Sequence, residues 1–395
     1  MRRRSLGPWG TIAWWTVGLG LLGLFGAANA AASVPPERLW YLQLLGIAVP
    51  ALGTALVLVA ASAVFVRRWW LGGGLLAAVA IAAAIAPTPP STPMLSPDPD
   101  RATAPDVPSA EASSTDVPRR PGAEPLRVMT FNANPGALRD QDGLGDLLDR
   151  EEPHLVALQE FGVRLDRTTG IQMGPPFLAP FIKGNRFMVS WPEGGGGVSI
   201  KQPILSRLDR VETAEVVPDN PSGRQQEGLW ASGGITRATY EWQGRTIAVY
   251  NVHLHSFGRA RPWRDGARRV LSLAAWSDAL RTYRRDFKTR ADQARLLRRM
   301  LDSEELPFVV CGDLNSTPHS WVYAHLAEGL TDAFREAGAG WGGTFPAGLP
   351  LVRIDVVLVS EEWEVRRARV SQAVASDHLP VIAELVLRPR GGRTP

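Results

Sequence analysis

The residues able to do chemistry in this chain stand just beyond apolar runs, most clearly in Phe308-Val309-Val310-Cys311-Gly312-Asp313-Leu314-Asn315-Ser316-Thr317-Pro318. Four apolar residues read as a buried strand, and Gly312 permits a tight turn. A carboxylate and a carboxamide two residues apart then project from the strand end, and turn formers close the element. Alone, this pattern also describes an ordinary strand-to-turn junction with solvated caps. Its repetition argues otherwise. Asn132, Glu160, His253, Asp355 and the Asp377-His378 pair each fall at the end of, or just beyond, a strand-like segment, as expected when one pocket collects side chains from several strand ends.

In Tyr250-Asn251-Val252-His253-Leu254-His255, alternation puts Asn251, His253 and His255 on one face and sends Val252 and Leu254 inward. A histidine pair two apart can bind zinc, but no third Cys or His is placed to complete the site. Contact with phosphate suits His253 better, and a pair of solvated strand histidines is the plain alternative. Asp355 interrupts the apolar run Val352 to Val359, which is costly unless the carboxylate is hydrogen-bonded or paired. Cys311 is the only cysteine, so no intramolecular disulfide forms, and its apolar strand makes it a packing residue rather than a nucleophile. The run Gly194 to Gly197 lacks a following Lys-Ser/Thr and is not a phosphate-cradling loop.

The elements that must position these groups alternate in type. Leu126 to Asn132 reads as a strand, Leu144 to Glu152 as a helix stopped by Pro153, and Leu155 to Glu160 as a short buried strand. Further strands are expected at Phe187–Ser190, Val198–Leu208, Trp230–Trp242, Thr246–Leu254, Trp363–Val370 and Val381–Leu387, with a hairpin at Gln243-Gly244-Arg245. Arg268 to Leu301 is a long basic helix with a core-facing stripe at its end, and Trp321 to Leu330 a short one. Its basic face suits solvent, DNA or anionic lipid equally. Many strands and few helices favour two packed sheets flanked by helices.

The ordered series Thr130-Phe-Asn132, Leu158-Gln-Glu160, Ile204-Leu-Ser-Arg207, Asn251-Val-His253, Gly312-Asp-Leu-Asn315, Arg353-Ile-Asp355 and Ser376-Asp-His378 resembles the endonuclease/exonuclease/phosphatase superfamily, with its DNase-I-like fold. The resemblance implies an α/β, four-layered sandwich over residues 126–390 and a divalent-metal-dependent phosphoesterase. It implies Glu160 as principal ligand of Mg²⁺ or Mn²⁺, with Asn132 and Asp377 nearby. It further implies Asp313 to orient or deprotonate the attacking water, Asn315 to position it, His378 held by Asp355 to face the phosphoryl group, and His253 as a second donor to its oxygens. Oxygen ligands do suit a hard cation that keeps waters and binds phosphate, and in-line attack needs electrostatic clamps around the oxygens that gain charge. Asn134 is a departure, because some nuclease members carry an aspartate there. No finger or recognition-helix motif accompanies the series.

Length and composition divide the chain. Formal net charge is +4 and pI about 9.5 over 395 residues, but residues 1–87 are nearly all Ala, Leu, Gly, Val and Trp. Ile12–Val34, Leu39–Val66 and Trp69–Ala86 approach the length that crosses a bilayer, so three transmembrane helices are expected. A cleaved signal peptide would account for the first stretch only. Arg2, Arg3 and Arg4 before the first span, with Arg67 and Arg68 between the second and third, place the N-terminus in the cytoplasm and the catalytic domain outside. Residues 88–125, rich in Pro, Ser and Ala, read as a disordered linker. This layout resembles membrane-anchored actinobacterial members of the superfamily associated with teicoplanin resistance. It implies a multi-pass cell-membrane protein, a lipid bilayer as partner, no obligate protein partner, and a lipid-linked phosphate or pyrophosphate as substrate. Phe257 and Trp263 between basic groups would suit a lipid interface, and a packed loop with no lipid role equally. An extracellular nuclease acting on nucleic acid, or an inactive phosphate-binding domain, are the alternatives.

Overall fold

A computed structural model describes residues 8–65, 72–74, 76–77, 124–134, 141–160, 164–165, 172–173, 187–190, 202–217, 234–257, 271–372 and 376–389. The first sheet runs β13 (Trp363–Val370), β14 (Val381–Leu387), β1 (Leu126–Asn132), β2 (Leu155–Gln159), β6 (Ile204–Ser206), β5 (Met188–Ser190). The second runs β11 (Thr331–Asp332), β12 (Asp355–Val359), β10 (Phe308–Asp313), β9 (Arg245–His253), β8 (Gly234–Trp242), β7 (Arg210–Val217). A separate two-stranded ribbon pairs β3 (Arg164–Leu165) with β4 (Gln172–Met173).

Side chains alternate across a strand, so a strand covered on both faces must be apolar at every position. That is why these strands read as unbroken hydrophobic runs. Val128, Ala157, Val249, Cys311, Val357 and Ala383 fill the space between the sheets. Met129, Phe131, Val156 and Leu158 face the opposite way, under Leu144, Leu147 and Leu148 of the helix Gln141–Glu151. On the far side, Tyr250, Val252, Val310 and Val356 pack beneath Ala294, Leu297 and Leu301 of the helix Leu273–Asp302 and Val322 and Leu326 of Trp321–Ala327. The layers are therefore helix, sheet, sheet, helix: an α/β sandwich. Val252 and Leu254 turn toward the helical layer, while Asn251 and His253 are also buried, so neither face of that strand end is solvated. Burial of the Cys311 thiol pushes its pKa up, consistent with packing.

Several boundaries differ from the sequence reading. Val352 pairs with Phe345 in an isolated bridge, and strand β12 begins only at Asp355. Asp355 thus starts its strand rather than interrupting it. The long helix opens at Ser272, whose side chain accepts from the Ala275 amide at 3.3 Å, satisfying one of the orphan donors of the first turn. The Gln243-Gly244 hairpin has φ of 50° and 72° at its two central residues, the geometry favoured by the twist of the flanking strands.

Gly312 does more than turn the chain. Its φ is +153°, and a Cβ there would lie 1.8 Å from the Val252 carbonyl oxygen on the adjacent parallel strand. Gly312→Ala is expected to destabilise the fold by about 3 kcal/mol or more, since backbone cannot yield as a flexible side chain can. Urea denaturation of the two proteins would measure it.

The expected three transmembrane helices are not what the structure contains. Among the described residues no single helix is long and apolar enough to cross a membrane. Ile12–Val34 falls on the helix Pro8–Ala30. The stretch Leu39–Val66 is broken into Pro36–Ile47 and Val49–Phe65, and the pair passes the length and composition test only together, across a 56° bend. Pro50 explains the break: it has no N–H to give and its ring would clash with the carbonyl four residues back, yet it fits the first turn of a new helix. The helix Pro36–Ile47 is also fastened to the sandwich. Gln43 Oε1 accepts from the Trp321 amide at 3.1 Å, and Arg295 meets Glu37 at 2.8 Å. The multi-pass placement, cytoplasmic N-terminus and extracytoplasmic catalytic domain rested on those spans and are corrected with them. Most of Trp69–Ala86, nearly all of the linker 88–125, Gly194–Gly197 and Trp263 lie outside the described residues.

Candidate active site

Topology alone brings the polar strand ends together. Strands β1 and β2 are parallel, as are β9 and β10, so Asn132, Glu160, His253 and Asp313 leave their sheets at the same edge. The antiparallel neighbours β12 and β14 begin where those strands end: Asp313 registers with Asp355, and Thr130 with Val381, just after Asp377-His378. Two sheets packed face to face then oppose these edges.

Asp313 lies at the centre, 1 % exposed. One carboxylate oxygen accepts from the Asn315 amide at 2.7 Å and the other from Asn132 Nδ2 at 3.1 Å. Asn132 Nδ2 also reaches Glu160 Oε1 at 3.4 Å. His253 Nε2 is 3.7 Å from both Glu160 and Asp313, and His378 Nε2 is 3.9 Å from Asp313. Asp355 Oδ2 binds His378 Nδ1 at 2.9 Å. On the remaining side, Asn134 Nδ2 donates to Asp377 Oδ1 at 3.1 Å, and Ser376 Oγ donates to the Asn132 carbonyl at 2.8 Å. All eight side chains singled out in the sequence therefore adjoin one space. Asn134, which departs from the nuclease pattern, orients Asp377.

Backbone shape contributes. Glu160 and Asn315 have φ of 54° and 47°, an uncommon conformation for residues with a Cβ that is concentrated where function sets the geometry. Each turns its side chain back across a strand end. Asn315 Nδ2 is held on the Leu254 carbonyl at 2.9 Å. Beneath the site, Gln159 Nε2 meets Asn251 Oδ1 at 2.7 Å and Asn251 Nδ2 donates to the Leu158 and Pro203 carbonyls at 2.9 Å, joining the two sheets.

Electrostatics define what the site attracts. Burial, aided by the charge of Asp355, pushes the Asp313 carboxyl above its usual range. Glu160 is raised likewise, by burial first, with Asp377 and Asp355 adding to it. Burial would lower His378, but Asp355, Asp313 and Asp377 outweigh it and push the imidazole up to about 10. Crowded carboxylates that resist ionisation want a cation. The donor set fits one: Asp313, Asp355 and His378 offer ligand atoms within 4.8 Å of one another, and Asp355 Oδ1 is buried without a hydrogen-bond partner among the described residues. His378 Nδ1 is taken up by Asp355 at 2.9 Å, which leaves the oxygens of Asp313 and Asp355 and, linked to Asp313 through Asn132 Nδ2, those of Glu160, donors that suit a hard divalent ion.

The Asp355–His378 pair carries a testable consequence. Asp355→Asn should lower turnover by about 10–100-fold, as loss of a partner that orients a functional group does. It should also move the alkaline limb of the pH profile to lower pH, because the imidazolium loses the carboxylate that favours it. Rates measured across pH for the two proteins check both effects.

What such a cluster does is bring a divalent cation and polar donors against a phosphate ester, and the class so defined is the metal-dependent phosphoesterases. Sequence comparison gives the family. Residues 129–378 match the Endonuclease/Exonuclease/phosphatase family, and with more than half of its length matched the chain belongs to it. Among solved structures, the endonuclease/exonuclease/phosphatase from Beutenbergia cavernae DSM 12333 is similar at 20 % identity, covering 67 % of this chain and 72 % of that one, with TM-score 0.46. The family protein from Leptotrichia buccalis C-1013-b is 14 % identical over 66 % of this chain and 100 % of that one, with TM-score 0.48. D. rerio TDP2 complexed with single strand DNA product is 14 % identical over 66 % and 99 %, with TM-score 0.46. No curated protein matches the sequence.

Sequence reasoning passed over Arg290, taking it as one more base on a wet helix face. It is 1 % exposed. Its phase was the available signal: Tyr283, Phe287, Arg290, Ala294, Leu297 and Leu301 recur at alternating steps of four and three and are all buried, the spacing of a core-facing stripe.

Proposed function

We propose that this phosphoesterase cleaves a phosphodiester by direct attack of water, with a nucleic acid as the substrate class. The observation that carries the hydrolytic reading is Asp313, a buried carboxylate fixed by Asn132 and the Asn315 amide with the Nε2 atoms of His253 and His378 3.7 and 3.9 Å away. Asp313 takes a proton from water, Asn315 holds that water in line, and His253 and His378 donate to the phosphoryl oxygens as charge builds there. Glu160, with Asn132 and Asp377 nearby, would be the principal holder of Mg²⁺ or Mn²⁺, beside the clustered carboxylates of Asp313 and Asp355. Such an ion, when bound, polarises the phosphoryl group and offsets its charge. No protein nucleophile is called on.

A polyanionic substrate is favoured by the exposed Arg281, Arg284 and Arg285, the first and last also paired with Asp278 and Asp286, on the helix whose Asp286 meets His255 at 3.1 Å. A phosphorylated lipid is the second reading, favoured by a different observation. Trp341, Leu349 and Leu351 are 59 %, 63 % and 56 % exposed on the segment that places the Phe345 ring 4.8 Å from His378 and bonds the Ala347 amide to the Asp377 carbonyl at 2.7 Å. An apolar rim of that kind suits an acyl or isoprenoid chain. The deciding experiment incubates the whole chain and Mg²⁺ with duplex DNA, single-stranded RNA and detergent-dispersed isoprenyl pyrophosphate. Cleavage of nucleic acid that weakens steeply with salt supports the first reading. Phosphate release from the lipid alone overturns it in favour of the second.

A further inference from the structure

We propose that Arg290 is a positioning residue of the hydrolytic reaction, setting the strand end that carries His253 against the turn after Asp313 that carries Asn315 and Ser316. This rests on the phosphoesterase reading and adds to it a group outside the cation-binding cluster. Arg290 Nε donates to the His255 carbonyl at 2.7 Å, and Nη1 donates to Ser316 Oγ at 3.3 Å. One planar fork thus bridges the two segments, a span that the single ammonium of lysine does not reproduce. One turn further along the same helix, Gln293 Oε1 accepts from the His255 amide at 2.8 Å. Both backbone groups of His255 are therefore held by one helix face.

The surroundings show that the guanidinium is kept dry and in place. It stacks 4.5 Å from the Phe257 ring centroid and 5.4 Å from that of Phe287. Phe257 in turn packs edge-on against Tyr283 and Phe287, each at 4.9 Å, and Trp40 and Leu44 of the helix Pro36–Ile47 pack against that cluster. Burying a charge this way is expensive, and Nη2 is buried with no partner among the described residues. A neutral side chain would tie two loops together at lower cost. The charge has a further use, because Asp286 and Asp313 lie close enough to stabilise it and it offsets the negative excess of the site from behind.

The test uses the whole chain, Mg²⁺ and the chromogenic diester bis(p-nitrophenyl) phosphate. Arg290→Lys keeps the charge and loses the bridge. Its kcat is expected to fall roughly 100-fold, the scale of a small misplacement of catalytic groups, with KM and the Mg²⁺ requirement within about two-fold. Ser316→Ala, which removes one end of the bridge, should lower kcat several-fold. The double variant should be no slower than Arg290→Lys, since the contact is already gone. Wild-type kcat in Arg290→Lys, a change confined to KM, or losses that multiply in the double variant would each overturn the proposal. If Arg290→Lys does not fold, Ser316→Ala decides, and an unchanged kcat overturns it. A wild-type chain inert toward every ester would remove the hydrolytic reading and this role together, whereas an active wild type with indifferent variants removes this role alone.

Discussion

Asp313→Asn is expected to lower turnover by about 10²–10⁴-fold, the range of a lost general base, while the melting temperature stays level or rises. The side chain is 1 % exposed, and burial together with Asp355 already raises its pKa. Its negative charge is thus held against its solvation preference. The carboxamide has nearly the same shape and can still accept from the Asn315 amide, which lies 2.7 Å from Oδ1 in the parent protein. What it cannot do is accept a proton from water. A site arranged for chemistry is strained in this way, and relieving it trades activity for stability. Initial rates on a nucleic acid substrate, with thermal unfolding of both proteins, make the comparison. Loss of rate with a parallel loss of fold would instead assign Asp313 a structural part.

The second large effect concerns the cation. Stripping divalent ions with a chelator is expected to abolish turnover, and Mg²⁺ to restore it. A cation at about 100 times its dissociation constant should add about 2.7 kcal/mol to stability, or roughly 5–10 °C in melting temperature for a domain of this size. The physical source is the crowding of Glu160, Asp313, Asp355 and Asp377, whose mutual repulsion His253, His378 and the buried Arg290 relieve only in part. Glu160→Gln should raise the Mg²⁺ concentration for half-maximal rate by about 10–100-fold. Asp313→Asn should change it far less if Asp313 serves water and Glu160 the ion, and equal shifts would reverse that division. Because burial raises the Glu160 pKa, protons compete with the cation as pH falls. The Mg²⁺ requirement should therefore climb on the acid side, and titrations at several pH values would show it.

The two proteins altered at Asp313 and Glu160 probe groups that a reader of the sequence can find, and the reason is local. Each follows an apolar run of strand length, and a polar residue after such a run must lie at the strand's end. The sandwich was legible for the same reason: strands buried on both faces leave no polar gaps. Less legible was anything that depends on where a helix lies. The hydrophobic N-terminal stretches satisfied a length criterion, but Pro50 and the polar anchors Glu37 and Gln43 divert the second of them onto the sandwich. Hydropathy averages do not register a single proline or a buried amide.

Arg290 shows the same limit at one residue. By itself the sequence determined the order of the central strands and of the helices that cover them, the apolar faces that bind them into layers, and the types of side chain available at each strand end, though not the edge strand Arg210–Val217. Only the tertiary structure decided that Asn132, Glu160, His253, Asp313, Asp355 and His378 face one another within a few ångströms, and that Arg290 stands inside rather than out. Periodicity is a property of near neighbours along the chain. Convergence of residues more than two hundred positions apart depends instead on strand register and on the stacking of two sheets, which packing of the whole core sets.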